Sequence, residues 1–230
     1  MSGTVMVVED DDAIRFVLRT NLEEEGYEVV ECVTGEQALV LQQDFTPDVL
    51  LVDLRLPGIQ GMDLVRSVRA TSNVPIIIVT AQIDSQDVIA GLGAGADDYV
   101  TKPFVAKELM ARIATQLRRV GTEDNSSETR VITCGPIALH EETAEAFRSG
   151  TPLSISRIEF FVLHELISAK GRVLSRDYLL RNVWGYKNAG DGRIVDNLIY
   201  RLRSKIEDDS SKPNLLLTVR GFGYRMKEPE

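Results

Sequence analysis

The 230-residue chain is poor in the residues that would mark a secreted, membrane or metal-rich protein. It has only two cysteines, Cys32 and Cys134, far apart in the sequence. This pattern favours unpaired thiols in the cytoplasm over a disulfide scaffold. The longest apolar run spans about eight residues, 74–81, whereas a membrane helix needs roughly 20. The first residues lead directly into a predicted strand, so we expect no signal peptide and no membrane association.

Basic residues are also fewer than acidic ones, but the imbalance is confined to one part of the chain. The net charge is −9, which would argue against nucleic acid if it were evenly spread. Residues 1–120 hold 19 acidic and 10 basic side chains, whereas residues 131–230 hold 13 acidic and 15 basic ones. The length also exceeds that of one typical domain. We therefore expect two domains with different partners, joined by the polar, flexible segment 121–130.

Residues 1–120 contain five alternations of a short apolar strand and an amphipathic helix. This alternation predicts an α/β domain whose parallel sheet is covered by helices on both faces, with the flavodoxin-like strand order 2-1-3-4-5. The predicted strands are Val5–Val8, Tyr27–Val33, Val49–Val52, Val74–Val79 and Asp98–Val100. The predicted helices begin near Ala13, at the capping-box pattern of Thr34–Gln37, and at Gly61, Ser85 and Ala106, and the last one extends to Val120.

A polar residue follows each of the strands that this order brings together. Strand 1 ends at Glu9 and Asp10, and strand 3 ends at Asp53. Thr80 and Lys102 follow strands 4 and 5 on the same edge of the sheet. Clustered carboxylates repel each other unless a cation is present, and oxygen ligands of this kind suit Mg²⁺. The cluster can stabilise a transferring phosphoryl group, with Asp53 as nucleophile. A helix-capping role for Asp53 alone is the plainer alternative.

These motifs, with the sequences Val-Asp53-Leu-Arg-Leu-Pro-Gly and Asp-Tyr99-Val-Thr-Lys102-Pro-Phe, resemble the receiver domain of two-component response regulators. The resemblance implies phosphorylation of Asp53 by a partner histidine kinase. It implies that Asp10, Asp53 and the carbonyl of Arg55 bind Mg²⁺, with Glu9 acting through water. Thr80 and Tyr99 would be the switch pair, and the Lys102–Pro103 peptide bond would be cis.

The resemblance also implies a homodimer that forms on phosphorylation through helix 4, strand 5 and helix 5. The residues expected at this face are Asp97, Asp98, Glu108, Arg112 and Arg119. Val88 stands where the family usually has a basic residue that pairs with Glu108. Because exposed ion pairs contribute only about 0–1 kcal/mol each, we expect the dimer to persist with a more apolar centre.

Residues 131–230 predict an α+β domain. Short antiparallel strands precede a helix that opens with the capping box Ser156–Glu159, and a second helix follows Ser175. The third helix, Arg193–Glu207, has an apolar stripe and a basic opposite side. A strand, a glycine-rich turn and a second strand follow in 215–225. A helix with a basic hairpin beside it is typical of a DNA-docking module.

This half resembles the winged-helix effector of the OmpR/PhoB-type transcription factors. The resemblance implies a regulator that binds direct-repeat half-sites in double-stranded DNA, with RNA polymerase as a further candidate partner. The expected DNA-binding residues are Arg193, Asn197, Tyr200, Arg201, Arg203, Thr218 and Arg220. We expect Asn197 and Arg201 to read bases from one face of the helix. Arg193, Arg203 and Thr218 are better suited to phosphate contacts.

Two other functional classes fit the sequence less well. Haloacid dehalogenase-type enzymes also form an aspartyl phosphate, but they generally need an acid two residues after the nucleophile, where this chain has Arg55. A pure protein-interaction module would leave the basic helix and hairpin unexplained. A salt-dependent DNA-binding assay separates that class from a transcription factor. We therefore interpret the chain as a regulator rather than an enzyme.

Overall fold

The computed structural model describes residues 3–81, 85–117, 130–186 and 191–228, with the backbone alone for 85–89. The chain divides into two compact units, Met1–Leu117 and Arg118–Glu230. The predicted linker lies outside the described residues except for Arg130, and so does the predicted extension of the last helix of the first unit through 118–120. No helix in the described ranges has the length and apolar character needed to cross a membrane.

The first unit is a five-stranded parallel sheet with helices between its strands. The strand order is β2-β1-β3-β4-β5, which confirms the predicted topology. Its strands are β1 Thr4–Val8, β2 Glu28–Cys32, β3 Val49–Val52, β4 Ile76–Thr80 and β5 Asp98–Thr101. Its helices are α1 Asp12–Glu24, α2 Gly35–Asp44, α3 Gly61–Thr71, α4 Ser85–Ala94 and α5 Ala106–Leu117.

The central strands are apolar because helices cover both faces of the sheet. Every residue of β3 and β4 is buried. The start predicted for the fourth strand, Val74, was two residues too early. Pro75 has no N–H to donate to a strand ladder, although its carbonyl accepts from the Leu50 N–H at 2.8 Å. The strand begins at Ile76 and ends at Thr80, so the hydroxyl of Thr80 lies at the carboxyl edge of the sheet.

The helix starts follow the expected capping chemistry with one difference. Asp11 accepts hydrogen bonds from the N–H groups of Ala13 and Ile14, so it caps α1. Thr34 accepts from the Gln37 N–H at 3.2 Å, as the capping-box pattern predicts. The reciprocal bond is displaced, because the Gln37 side chain accepts from the N–H of Val33, one residue before the cap.

The described part of the second unit contains a four-stranded antiparallel sheet, three helices and a C-terminal hairpin. The sheet has the order β6-β7-β8-β9, and β10 pairs with β11. Its strands are β6 Val131–Cys134, β7 Ile137–His140, β8 Glu145–Arg148, β9 Thr151–Leu153, β10 Leu216–Val219 and β11 Gly223–Met226, and its helices are α6 Arg157–Ser168, α7 Arg176–Val183 and α8 Gly192–Ile206. The capping box of Ser156 and Glu159 is present at the start of α6.

The hairpin β10–β11 is tied to the rest of its unit at both ends. We call this hairpin, with its turn at 220–222, the wing. Leu174, just before α7, exchanges two backbone hydrogen bonds with Tyr224, at 2.8 and 2.9 Å. At the other end, the buried carboxylate of Glu207 accepts from the N–H groups of Asn214, Leu215 and Leu216. The backbone of the wing is thus anchored by the backbone of Leu174 and by the side chain of Glu207.

Candidate functional site

The polar residues predicted to follow the strands do meet at the carboxyl edge of the parallel sheet. Glu9 and Asp53 follow the adjacent strands β1 and β3, and only 1% and 7% of their surfaces are exposed. Thr80 is buried at the end of β4, and Lys102 follows β5. The topology causes this convergence, because parallel strands end at the same edge.

One ammonium group links the two buried carboxylates. Lys102 Nζ lies 2.6 Å from Glu9 Oε2 and 2.6 Å from Asp53 Oδ2. The other Asp53 oxygen, Oδ1, accepts from the N–H of Arg55 at 3.2 Å. The Lys102–Pro103 peptide bond is cis, as expected. The Asp53 carboxylate is therefore oriented and adjacent to a fixed positive charge.

The carboxylates of this pocket also fit a divalent cation. Oxygens of Glu9, Asp10 and Asp53 all lie within 4.8 Å of one another. Glu9 Oε1 is buried and has no hydrogen-bond partner among the described residues. Burial raises the pKa of Glu9, Lys102 offsets part of this effect, and the charge of Asp53 adds to it. Three carboxylates facing one lysine leave an excess of negative charge, and a hard cation with oxygen ligands would balance it.

The expected switch residues lie on adjacent strands. In the β4–β5 register, Thr80 is opposite Thr101 and Tyr99 is opposite Ile78. Thr80 is buried, whereas Tyr99 is half-buried. The structure thus places Thr80 at the carboxyl end of β4 and Tyr99 within the adjacent edge strand β5.

Gly61 is a residue of this site that the sequence pattern identified only as a helix start. A Cβ at this position would lie 2.0 Å from the carbonyl oxygen of Asp53 and 2.7 Å from the Cα of Leu54. The Gly61 N–H donates to the carbonyl of Leu54 at 3.1 Å. Only a residue without a side chain allows α3 to begin this close to the backbone of Asp53. The sequence signal that could have identified Gly61 is a glycine that begins the helix following a strand that ends in an acid.

The residues expected at the dimer face already have partners within their own unit. Arg112 contacts Asp98 at 3.0 Å and Glu108 at 2.6 Å. Asp97 is also paired within its own unit. Its buried carboxylate accepts from Arg69 at 2.7 Å and from the N–H of Ile76 at 3.0 Å. Arg119 and the side chain of Val88 lie outside the described residues.

In the second unit, α8 has the predicted apolar stripe facing inward. The buried residues are Ile194, Val195, Leu198, Ile199, Leu202 and Ile206. On the other side, Tyr200 is 68% exposed and Ser204 is also exposed. Asn197 is partly exposed and its side chain donates to the carbonyl of Arg193 at 3.0 Å. Arg193 contacts Asp191, which caps the helix. This side of α8 is polar and open.

Arg201 does not share that open face, contrary to expectation. Its side chain is only 12% exposed, and Nε lies 3.4 Å from Oε1 of the buried Glu159 on α6. Lys205, one turn later, contacts Oε2 of the same carboxylate at 2.6 Å. The long arginine side chain reaches back to a buried acid, so it joins α8 to α6 instead of projecting outward with Asn197.

We expect a Glu159→Gln variant to lower the free energy of unfolding of the second unit by about 1–3 kcal/mol, because an amide cannot pair with two cations. Trp184 is the single tryptophan and is buried in this unit. A urea titration followed by tryptophan fluorescence therefore measures this unit alone. Glu142→Gln, at an exposed acid of the same unit, is the matched control. Equal midpoints for the two variants would contradict the bridging role.

The wing contacts α8 through arginine and tyrosine side chains. Arg203 donates to the carbonyl of Leu216 at 2.7 Å and to the Thr218 hydroxyl at 2.8 Å. The Tyr224 hydroxyl donates to Asp196 at 2.6 Å. Burial and Asp196 raise the pKa of Tyr224 to about 12, so this hydroxyl remains a donor at neutral pH. Arg220 is exposed on the turn.

The fold and the pocket together define a receiver domain followed by a winged-helix DNA-binding domain. Residues 5–114 match the family model for the response regulator receiver domain, and residues 150–226 match that for the C-terminal domain of transcriptional regulatory proteins. The chain belongs to the OmpR/PhoB-type response regulators and is a transcriptional regulator, not a classical enzyme.

Full-length relatives share this organisation. The chain is 40% identical over 229 residues to the DNA-binding response regulator MtrA of Mycolicibacterium smegmatis, covering 100% of this chain and 99% of the relative. Among solved structures, a mutant of RitR matches with a TM-score of 0.74 at 27% identity, covering 99% of this chain and 100% of the other. DrrB of Thermotoga maritima, an OmpR/PhoB homologue, matches with a TM-score of 0.51 at 29% identity, covering 98% of this chain and 99% of the other.

Proposed function

We propose that a partner histidine kinase transfers a phosphoryl group to Asp53 and that this modification controls DNA binding. The observation that carries the proposal is the contact of Lys102 with both Asp53 and Glu9, at 2.6 Å each. A carboxylate oxygen of Asp53 would attack phosphorus, forming an acyl phosphate while the bond to the donor breaks. Lys102 would stabilise the negative charge that develops on the phosphoryl oxygens.

The pocket would hold Mg²⁺ through Asp10, Asp53 and the carbonyl of Arg55, with Glu9 acting through a water molecule. The buried, unpartnered Oε1 of Glu9 supports this assignment. When bound, Mg²⁺ supplies the positive charge that lets carboxylates and phosphate oxygens lie together. The protein itself contributes the orientation of Asp53 through the Arg55 N–H and the charge of Lys102.

Phosphorylation is proposed to move Thr80 and Tyr99 and to favour a homodimer through α4, β5 and α5. The charged residues proposed for this face are Asp97, Asp98, Glu108, Arg112 and Arg119. Because Arg112 already pairs within its own chain, a dimer through this face would share or exchange these pairs. The carboxylates of Asp97 and Asp98 are both buried, against Arg69 and Arg112, so pairs across a dimer would require these contacts to change. The domains proposed are a receiver at 1–120, a linker at 121–130 and a winged helix at 131–230.

The second domain is proposed to place α8 in the major groove and the wing beside the minor groove or an adjacent phosphate. Asn197 and Tyr200 are proposed to contact bases, and Arg193, Thr218 and Arg220 to contact the DNA backbone. Arg203 is proposed to bind phosphate while it supports the wing. Arg201 is reassigned to supporting α8 through Glu159. The protein would act in the cytoplasm on direct-repeat sites, with RNA polymerase as a further partner.

The test measures DNA binding with and without phosphorylation. Duplexes are selected from a random library with the full-length protein, and fluorescence anisotropy then measures their affinity. We expect acetyl phosphate with Mg²⁺ to raise the affinity about tenfold or more, and EDTA to remove the increase. The affinity for a scrambled duplex, measured over a series of salt concentrations, separates sequence preference from non-specific electrostatic binding. If neither the phosphodonor nor Mg²⁺ changes the affinity for DNA, the proposed control of DNA binding by phosphorylation is wrong.

A further inference from the structure

The tip of the wing carries an aromatic side chain that faces solvent. Phe222 is 72% exposed, the largest exposed fraction among the large apolar side chains of the described residues. It stands between two glycines, in the sequence Arg220-Gly221-Phe222-Gly223. Fully burying a phenylalanine is worth about 1.5–3 kcal/mol. The exposed ring therefore leaves this burial free energy unused in the isolated domain, and a bound partner that covers the ring would gain it.

The turn that carries Phe222 is rigidly built. The Phe222 N–H donates to the carbonyl of Val219 at 3.0 Å. Val219 and Gly223 are the last paired residues of β10 and β11 before the turn. Gly221 has φ +79, in the left-handed region, and so directs the tight turn. A Cβ on Gly223 would lie 2.0 Å from the carbonyl oxygen of Leu174. The wing therefore holds the backbone of Phe222 at a fixed place at its tip.

The wing is also fixed relative to α8. Arg203 on α8 bonds to Leu216 and Thr218 of β10, and Asp196 on α8 accepts from Tyr224 of β11. Docking of α8 into a groove would thus carry the tip of the wing to a defined distance along the same duplex. The ring of Phe222 would then reach a base step next to the base pairs that α8 contacts, without a change in the fold of the protein.

The surroundings of Phe222 have the charge that a DNA backbone requires. Residues 214–227 contain Arg220, Arg225 and Lys227 but no acidic residue. Both arginines are exposed. Proteins that bind the minor groove combine basic side chains with apolar wedges that partly unstack a base step. An apolar ring on a rigid tip between two cations has these elements.

We propose that Phe222 is a wedge that enters the minor groove and partly unstacks one base step beside the site of α8. This inference rests on the proposed docking of α8 and the wing. Pyrimidine–purine steps are the most easily kinked and unstacked. The protein therefore selects such a step at the position that the wing reaches, although no hydrogen bond to a base is made there.

The experiment uses 2-aminopurine, whose fluorescence rises when it is unstacked. The full-length protein, treated with acetyl phosphate and Mg²⁺, is added at saturation to a duplex recovered by selection from a random library. 2-Aminopurine replaces adenine at successive positions flanking the preferred sequence. We expect a rise at one step with the unaltered protein and none with Phe222→Ala. Phe222→Leu, which keeps an apolar side chain, is expected to retain part of the signal.

Affinity supplies the second readout. Replacing the flexible step by a G·C-rich one is expected to weaken binding of the unaltered protein about tenfold and that of Phe222→Ala hardly at all. Arg220→Ala is the control, because loss of a phosphate contact weakens both duplexes alike and reduces the salt slope by about one.

The outcomes separate the wedge from the docking on which it rests. Bound duplexes that show no 2-aminopurine signal at any position would overturn the wedge alone. The same holds if Phe222→Ala keeps both the signal and the step preference. If the unaltered protein recovers no duplex from the library, the proposed DNA docking fails, and the wedge fails with it.

Discussion

An Asp53→Asn variant incubated with acetyl phosphate and Mg²⁺ is expected to keep its unmodified mass, while the unaltered chain gains one phosphoryl group. Asparagine has the same shape as aspartate but no anionic oxygen to attack phosphorus. The remaining carboxylates of the pocket are poor substitutes. Glu9 is buried, has a raised pKa and is paired with Lys102, and Asp10 is exposed at the rim.

Intact-mass spectrometry measures the labelling, and hydroxylamine treatment identifies it, because an acyl phosphate is cleaved and a phosphate ester is not. Asp63→Asn, at an exposed acid on α3, is the matched control and should be labelled like the unaltered chain. Omission of Mg²⁺ should suppress labelling in both. Equal labelling of Asp53→Asn would remove the assignment of Asp53 as the phosphoacceptor.

A Gly61→Ala variant is expected to lower the free energy of unfolding of the first unit by about 3 kcal/mol, because overpacking against backbone atoms forces the chain to move. The added methyl group would lie 2.0 Å from the Asp53 carbonyl oxygen. The start of α3 would have to shift away from the strand end that carries the phosphoacceptor. Slower labelling by acetyl phosphate is therefore expected in the fraction that folds.

Urea unfolding followed by far-ultraviolet circular dichroism measures the loss. Trp184 fluorescence, which reports the second unit, should show an unchanged midpoint and so serves as an internal standard. Gly93→Ala is the control, since a Cβ there meets nothing within 4 Å. In a helix this change is expected to be neutral or to stabilise by up to about 1 kcal/mol. If Gly61→Ala unfolds at the same urea concentration as Gly93→Ala, the proposed clash is wrong.

Several features could be predicted from the sequence because they depend on local pattern. The alternation of apolar strands and amphipathic helices predicted a parallel sheet, and the flavodoxin-like order 2-1-3-4-5 brings Glu9, Asp53, Thr80 and Lys102 together at one edge. The buried stripe of α8 followed from helical periodicity, and the start of α6 from the capping box of Ser156 and Glu159. In each case the physical reason lies within a few residues of chain or in the rule that parallel strands end together.

Tertiary structure alone decided where long or adjacent side chains find their partners. Periodicity placed Arg201 beside Asn197, but the buried Glu159, brought near by helix packing, draws the guanidinium inward. Likewise, Asp97 and Asp98 are neighbours in sequence, yet one pairs with Arg69 on α3 and the other with Arg112 on α5. Gly61 is essential only because α3 begins against the backbone of Asp53. The energy of a charge or a methyl group depends on atoms from distant segments, and only the folded chain brings these together.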